Sequence, residues 1–106
     1  MAKYLFLGSY TAEGTKGVLK DGGSGRRKAI EQALKSVGGS MEAFYFAFGE
    51  ADAIVIADVP DNVSATALSL MVNASGLASV RTVVLITAEE MDQATKKTVK
   101  YRAPGK

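Results

Sequence analysis

Three polar side chains on predicted strands could together hold a small aromatic, anionic molecule. Tyr10 and Tyr45 carry phenols that donate or accept hydrogen bonds, and Arg81 can pair with an anionic group. Both tyrosines lie on strands whose faces should be largely buried, so their hydroxyl groups need partners. They could instead be amphipathic packing residues at sheet edges or between two copies of the chain. We favour this second interpretation.

The second candidate group consists of carboxylates near the ends of two predicted strands. Glu50, Asp52 and Asp58 form this group, and neighbouring carboxylates can share a proton or bind a cation. The simpler interpretation, which we favour, is an acidic hairpin turn in which Asp52 satisfies backbone donors. We expect no metal and no cofactor.

Asp58 is the most informative of these acids. Alternation along a strand places it on the face of Ile54 and Ile56, and an acid at the rim of an apolar cavity can accept a proton. If the protein is an enzyme, Asp58 and Tyr10 are therefore the best candidates for proton transfer, with Arg81 as the anion anchor.

A glycine-rich stretch with basic residues runs from Gly22 to Lys28 (GGSGRRK). Backbone donors at a helix N-terminus, together with cations, can hold a phosphate. The spacing matches neither the P-loop nor the dinucleotide-binding pattern. We therefore interpret this stretch as a flexible linker, within a segment from Thr11 to Gly25 that is a loop or an irregular helical segment.

Composition excludes several classes of function. The chain has no cysteine and no histidine, which removes thiolate chemistry and the usual neutral-pH base. Five of its 13 basic residues and none of its 11 acidic residues lie within 96–106, so this tail carries +5 and the remainder −3. A basic tail can contact nucleic acid or anionic lipid, but the acidic body makes a dedicated nucleic-acid protein unlikely. We favour a helix C-terminus followed by a frayed end.

The same sequence predicts where the chain resides. No apolar run approaches the length of a membrane span, and the first strand begins almost at once, which leaves no room for a signal peptide. A cytoplasmic protein without membrane contact is the expectation.

The periodicity predicts one α+β domain of order βαββαβ, followed by a short helix that Thr87 caps, and Asp61 or Asn62 can cap the second long helix. Right-handed crossovers then give a ferredoxin-like, antiparallel four-stranded sheet with both helices on one face, in which the crossovers are expected to make strand one parallel to its sheet neighbour. The predicted strands are 3–10, 40–48, 53–58 and 79–87, and the predicted helices are 26–37 and 63–74, the second packing through Ala67, Leu68, Met71 and Val72.

Strands two and three are apolar on both faces. Phe44, Phe46 and Phe48 alternate with Ala43, Tyr45 and Ala47, and Ile54 and Ile56 alternate with Ala53, Val55 and Ala57. An antiparallel sheet open to water should show polar residues on one side. We therefore expect helices on one face and a second copy of the chain on the other.

Motifs in matching order along most of the chain resemble those of GYD-domain proteins. They are YLFL at 4–7, YTAEG at 10–14, GG at 38–39, FYFAFG at 44–49, VPD at 59–61, Gly76 and VRT at 80–82. The tripeptide that names the family is altered, because Glu50 and Ala51 stand between Gly49 and Asp52 where one tyrosine is expected. The resemblance implies a GYD-like domain over 1–95 with a basic tail over 96–106, and a homodimer of the dimeric α+β barrel type, with higher assembly open. It transfers no catalytic residues.

Two functions remain open at this point. The first is a domain that binds a small organic ligand, with or without catalysis, in a cleft of the sheet or the dimer; Tyr10, Tyr45 and Arg81 are its candidate ligand-binding residues. The second is a structural or interaction module without activity. A cavity lined by Tyr10, Tyr45 and Asp58 would favour the first, and a filled interior would favour the second.

Overall fold

The computed structural model describes residues 1–106 and contains four strands and three helices. In chain order the elements are β1 (Ala2–Tyr10), α1 (Ala12–Ser36), β2 (Ser40–Phe46), β3 (Ala53–Val59), α2 (Asn62–Ala74), β4 (Ala78–Leu85) and α3 (Ala88–Thr95). The predicted ferredoxin-like order with a terminal helix is confirmed. None of the three helices combines the length and the apolarity that crossing a bilayer requires.

The four strands form one sheet in the order β2-β3-β1-β4. Every neighbouring pair is antiparallel, which confirms the antiparallel four-stranded sheet. The narrower prediction that strand one lies parallel to its neighbour is wrong. The crossover through α1 does make β1 parallel to β2, but β3 inserts between them. The strands β1 and β2 are therefore consecutive in the chain but are not neighbours in the sheet.

The core lies between one face of the sheet and the helices α1 and α2. Burial alternates along β3, whose odd-numbered residues are buried while the even-numbered ones are half-buried. A hydrogen bond of 2.7 Å between the hydroxyls of Ser69 and Thr82 ties α2 to this face. The buried cluster comprises Tyr4, Phe6, Val55, Ala57 and Val59 from the sheet with Leu34, Ala65 and Leu68 from the helices.

The helix α1 begins well before the predicted helix 26–37. Of the two forms predicted for Thr11 to Gly25, the irregular helical segment is the one observed, because Thr11 caps a helix that begins at Ala12 and runs to Ser36. The helix is interrupted at Gly22, whose φ of 73° and ψ of 169° produce a kink. Left-handed φ values of this kind favour glycine. The predicted helix 26–37 is thus only the second half of a longer, kinked element.

Smaller corrections concern β2 and α2. The strand β2 ends at Phe46, and Phe48 lies fully exposed in the following loop. Here the amide of Ala47 donates to the carbonyl of Asp52 and closes the loop instead of extending the strand. Of the four predicted packing residues of α2, Leu68 is buried and Val72 is half-buried, whereas Ala67 and Met71 are exposed. Ala65, which was not predicted, is buried, so the buried stripe only partly coincides with the predicted one.

The helix caps follow the sequence closely. Asp61 accepts a hydrogen bond from the amide of Ser64 at the start of α2, and this bond lowers the pKa of Asp61 below its ordinary value. Thr87 and Glu90 form a reciprocal capping box at the start of α3. Both caps were expected from residue type and position.

The sheet face opposite the helices, here called the open face, is not covered by any element of the chain. Its apolar residues come from β1, β3 and β4, with Tyr45 and Arg81 among the exposed side chains. Apolar members of the open face are Leu5, Leu7, Ile54, Ile56 and Val83. The predicted two-faced apolar sheet is therefore confirmed, and helices account for one face only.

Candidate functional site

A cavity of about 450 Å³ lies between the covered face of the sheet and the two long helices. Of the 21 residues that line it, 15 are hydrophobic. Its floor includes Phe6, Gly8 and Val55 from the sheet, and its walls come from α1 and α2. Cavities of this size and composition are typical of sites for small organic molecules.

Two glycines shape the wall that α1 contributes. Gly14 packs so closely against the segment before β4 that an added Cβ would lie 1.8 Å from the carbonyl oxygen of Leu77. The amide of Thr11 also donates to this oxygen, at 3.0 Å. Gly17, one turn later, also lines the cavity, and a Cβ there would meet no atom within 4 Å. The first turns of α1 are thus held against β4, and empty space opens beside Gly17.

The few polar side chains of the cavity come from its edge. Tyr10 ends β1, and Asp21 and Arg26 flank the kink of α1. The kink brings these two charged groups together, with Arg26 Nη1 at 3.6 Å from Asp21 Oδ2. An apolar ligand could therefore place a polar group beside the carboxylate and guanidinium at the kink, or beside the phenol of Tyr10 at the start of α1.

Reasoning from the sequence missed this wall because it left the glycine-rich segment open between a loop and an irregular helical segment. A signal was present, since Gly14 and Gly17 are three residues apart and therefore share one helix face if the segment is helical. Thr11 is also a favoured N-cap residue, and Glu13 lies in the first turn of the helix. Helix propensity argued against a helix there, and tertiary packing outweighed it.

The tyrosines and the arginine that the sequence grouped together lie on two different faces. Tyr10 lines the cavity. Tyr45 pairs with Ile54 across the strands on the open face and is 69% exposed, so no element of its own chain buries it. Arg81 pairs with Leu7 on the open face. Within one chain these three residues do not form one cleft.

Asp58 lies beside the start of β1, and Tyr10 is the last residue of β1. Asp58 pairs with Lys3 across the strands, and Tyr10 is seven residues further along β1, about 23 Å away at the usual rise of a strand. The structure therefore does not bring these two candidates for proton transfer together within one chain.

Asp58 instead belongs to a charged cluster on the open face. Lys3 Nζ donates to Glu42 and, at 3.0 Å, to Asp58 Oδ1. The hydrogen bonds to Glu42 and then to Asp58 raise the pKa of Lys3 above its ordinary value. This cluster of two acids and one cation holds a net charge of −1 at the end of the sheet where β4 finishes.

The loop acids do not join that cluster. Asp52 Oδ2 accepts from the amide of Tyr10 at 2.9 Å, and the amide of Asp52 donates to the carbonyl of Gly8. Asp52 therefore fastens the β2–β3 loop to the end of β1, and does not cap its own turn as predicted. No group of three acids, histidines or cysteines in the chain is placed to hold a metal ion.

Comparison with protein families gives one match, to the model described as GYD domain, over residues 4–95. The chain belongs to the GYD-domain family. Comparisons with curated proteins and with solved structures gave no significant match.

The GYD domain of this chain contains every residue that lines the cavity, from Phe6 to Val80. It ends at residue 95, where α3 ends, and the basic residues 96–106 follow it. The altered tripeptide of this GYD domain lies in the loop that Asp52 fastens to β1. Through this hydrogen bond, the loop is attached to the sheet at the end where Tyr10 lies.

Proposed function

We propose that this GYD domain binds a small, mainly apolar organic molecule in the cavity between its sheet and its helices. The observation that carries the proposal is the cavity itself, with its apolar walls and its polar edge at Tyr10, Asp21 and Arg26. The apolar body of the ligand occupies the space beside Gly17, and its polar end lies near the kink of α1. Tyr10 is the candidate from the sequence that this site retains.

The apolar lining of the cavity supports the proposal. Because 15 of its 21 lining residues are hydrophobic, water in the cavity gains few hydrogen bonds from the walls. Replacing such poorly held water by an apolar group is favourable.

The first test uses 1-anilinonaphthalene-8-sulfonate, an aromatic anion whose fluorescence rises in apolar sites. We expect the full chain to bind the dye, and we expect Gly17→Leu, whose side chain occupies part of the cavity, to weaken binding. The matched control is Ile54→Thr, which makes the open face more polar and leaves the cavity unchanged. Binding that is unchanged in Gly17→Leu and is lost in Ile54→Thr would assign the dye to the open face and refute the proposal.

A second function, an interaction module that works as a homodimer of the dimeric α+β barrel type, is favoured by a different observation. The open face presents a row of apolar side chains that nothing in the chain covers, including Leu5, Leu7 and Ile56. A self-complementary face of this kind fits a two-fold interface. Sedimentation velocity over a micromolar range tests it: we expect a dimer that Leu7→Glu dissociates, and a stable monomer of the unaltered chain would refute it.

A further inference from the structure

The chain ends in a segment that extends away from its own domain. We call residues 86–106 the C-terminal arm; every one of them except Ala103 is exposed. The radius of gyration is 16.8 Å, whereas a compact chain of this length has a value of about 13 Å. The helix α3 is not among the elements that pack against the sheet. The arm therefore makes the molecule long, with extents of 56 × 32 × 23 Å.

The arm carries the chemistry of a segment that becomes buried. Its large apolar side chains Ile86, Met91, Val99 and Tyr101 are each more than half exposed. Tails that stay solvated are poor in such residues. Its helix is also well formed, because both hydrogen bonds of its capping box are present. An ordered helix with exposed apolar side chains gains stability by packing against another surface.

The charge of the last residues of the arm favours an acidic partner surface. Residues 96–106 carry +5, and none of these cations forms an ion pair within the chain. The three acids of α3 reduce the charge of the whole arm to +2, and residues 1–85 carry no net charge. On the open face, Arg81 lies beside Leu7, and the apolar residues end at the net-negative cluster of Lys3, Glu42 and Asp58. This cluster can receive the basic end of the arm while the apolar side chains of the arm contact the apolar residues of the face.

We propose that the C-terminal arm docks on the open face of a second copy of this chain. In a two-fold dimer the two arms are exchanged, so each arm covers part of the open face of the partner chain. Like the interaction module proposed above, this arrangement requires a second copy of the chain. It adds that the arm contributes to the contact between the two copies. It is independent of ligand binding in the cavity.

The test uses engineered cysteines, since the natural chain has none. One full-length chain carries Val99→Cys in the arm, and a second chain, distinguished by an affinity tag, carries Ile54→Cys on the open face. A matched control chain carries Gln32→Cys at an exposed position of α1, on the helix side of the molecule. After mixing and mild oxidation, we expect the arm–face disulfide to form at least about tenfold faster than the arm–control disulfide, because docking raises the effective concentration.

Three outcomes would overturn the proposal. Equal rates for the Ile54→Cys and Gln32→Cys partners would show that the arm has no preferred surface. A Val99→Cys/Ile54→Cys double variant that yields only a monomeric, internally bridged chain would show that the arm folds back on its own sheet. An arm that binds anionic phosphatidylserine vesicles or RNA while the chain remains monomeric would assign its charge to those partners.

Charge reversal provides a second measurement on the same pair of cysteines. With Lys97→Glu and Lys100→Glu added to the Val99→Cys chain, we expect the rate advantage over the control to be lost. An unchanged advantage would show that charge complementarity does not guide the arm and would overturn that part of the argument. The charge reversal should leave dye binding in the cavity unchanged, whatever its effect on the disulfide rate. This test is therefore separate from the test of the ligand site.

Discussion

Replacing Gly17 of α1 by a larger residue is the most direct test of whether the cavity exists in solution. Gly17 lies inside a helix, lines the cavity, and has open space where a side chain would begin. Gly17→Leu therefore adds two favourable terms. Replacing glycine by a good helix former gains about 1 kcal/mol, and burying a leucine side chain gains about 1.5 to 3 kcal/mol.

These two terms would give about 2.5 to 4 kcal/mol for a fully buried side chain, and because the cavity is partly open we expect a net stabilisation from Gly17→Leu of about 2 to 3 kcal/mol. For a domain of this size, it corresponds to a rise in melting temperature of about 10 °C or more. Gly17→Ala is the matched control, because it gains the helix term of about 1 kcal/mol but fills little of the space. Urea titration at a single pH, followed by circular dichroism, measures both variants against the parent chain.

Two results would refute the reasoning. If Gly17→Leu is no more stable than Gly17→Ala, the leucine side chain finds no apolar space and the cavity does not exist in solution. If Gly17→Leu is destabilised, the wall beside Gly17 is closed in solution and the added side chain clashes. A ligand that copurifies with the parent chain would reduce the measured gain, so native mass spectrometry of the purified protein belongs to the experiment.

Three further predictions concern stability. Gly14→Ala should lower the free energy of unfolding by about 1 to 3 kcal/mol, because its Cβ would overlap the Leu77 carbonyl; a neutral effect in urea titration would contradict the tight contact. Tyr4→Phe should cost about 1 kcal/mol by removing the hydroxyl that donates to the Asn62 side chain, and an unchanged midpoint would exclude that bond. The pKa of Asp61 is lowered by its bond to the Ser64 amide, so its contribution is full above its unfolded pKa and disappears as the pH falls through the folded value. The stability difference between the parent and Asp61→Ala should thus be constant from pH 5 to 7 and shrink below about pH 4, whereas a constant difference down to pH 2 would refute this origin.

Much of the fold could be predicted from local patterns. Alternation of apolar residues located β3 and correctly placed Asp58 on the face of Ile54 and Ile56. Asp61 and Thr87 marked the starts of α2 and α3 because capping depends on a few consecutive residues. These features are short-range, so the sequence carries them directly.

The candidate site was harder to predict because it depends on register and on a kinked helix. Pairing of Lys3 with Asp58 fixes Asp58 at the far end of β1 from Tyr10. Such a pairing involves residues more than fifty positions apart, and no local pattern specifies it. Tyr45 and Tyr10 were grouped by residue type, yet the strand pairings put them on opposite faces of the sheet.

The sequence by itself determined the order of the elements, the apolar character of both sheet faces and the opposite charges of body and tail. These properties follow from periodicity and composition, which need no knowledge of distant contacts. Only the tertiary structure decided that the glycine-rich segment is helical and that a cavity opens beside it. The physical reason is that glycine disfavours a helix locally, whereas the close contact between Gly14 and Leu77 stabilises one in the folded chain.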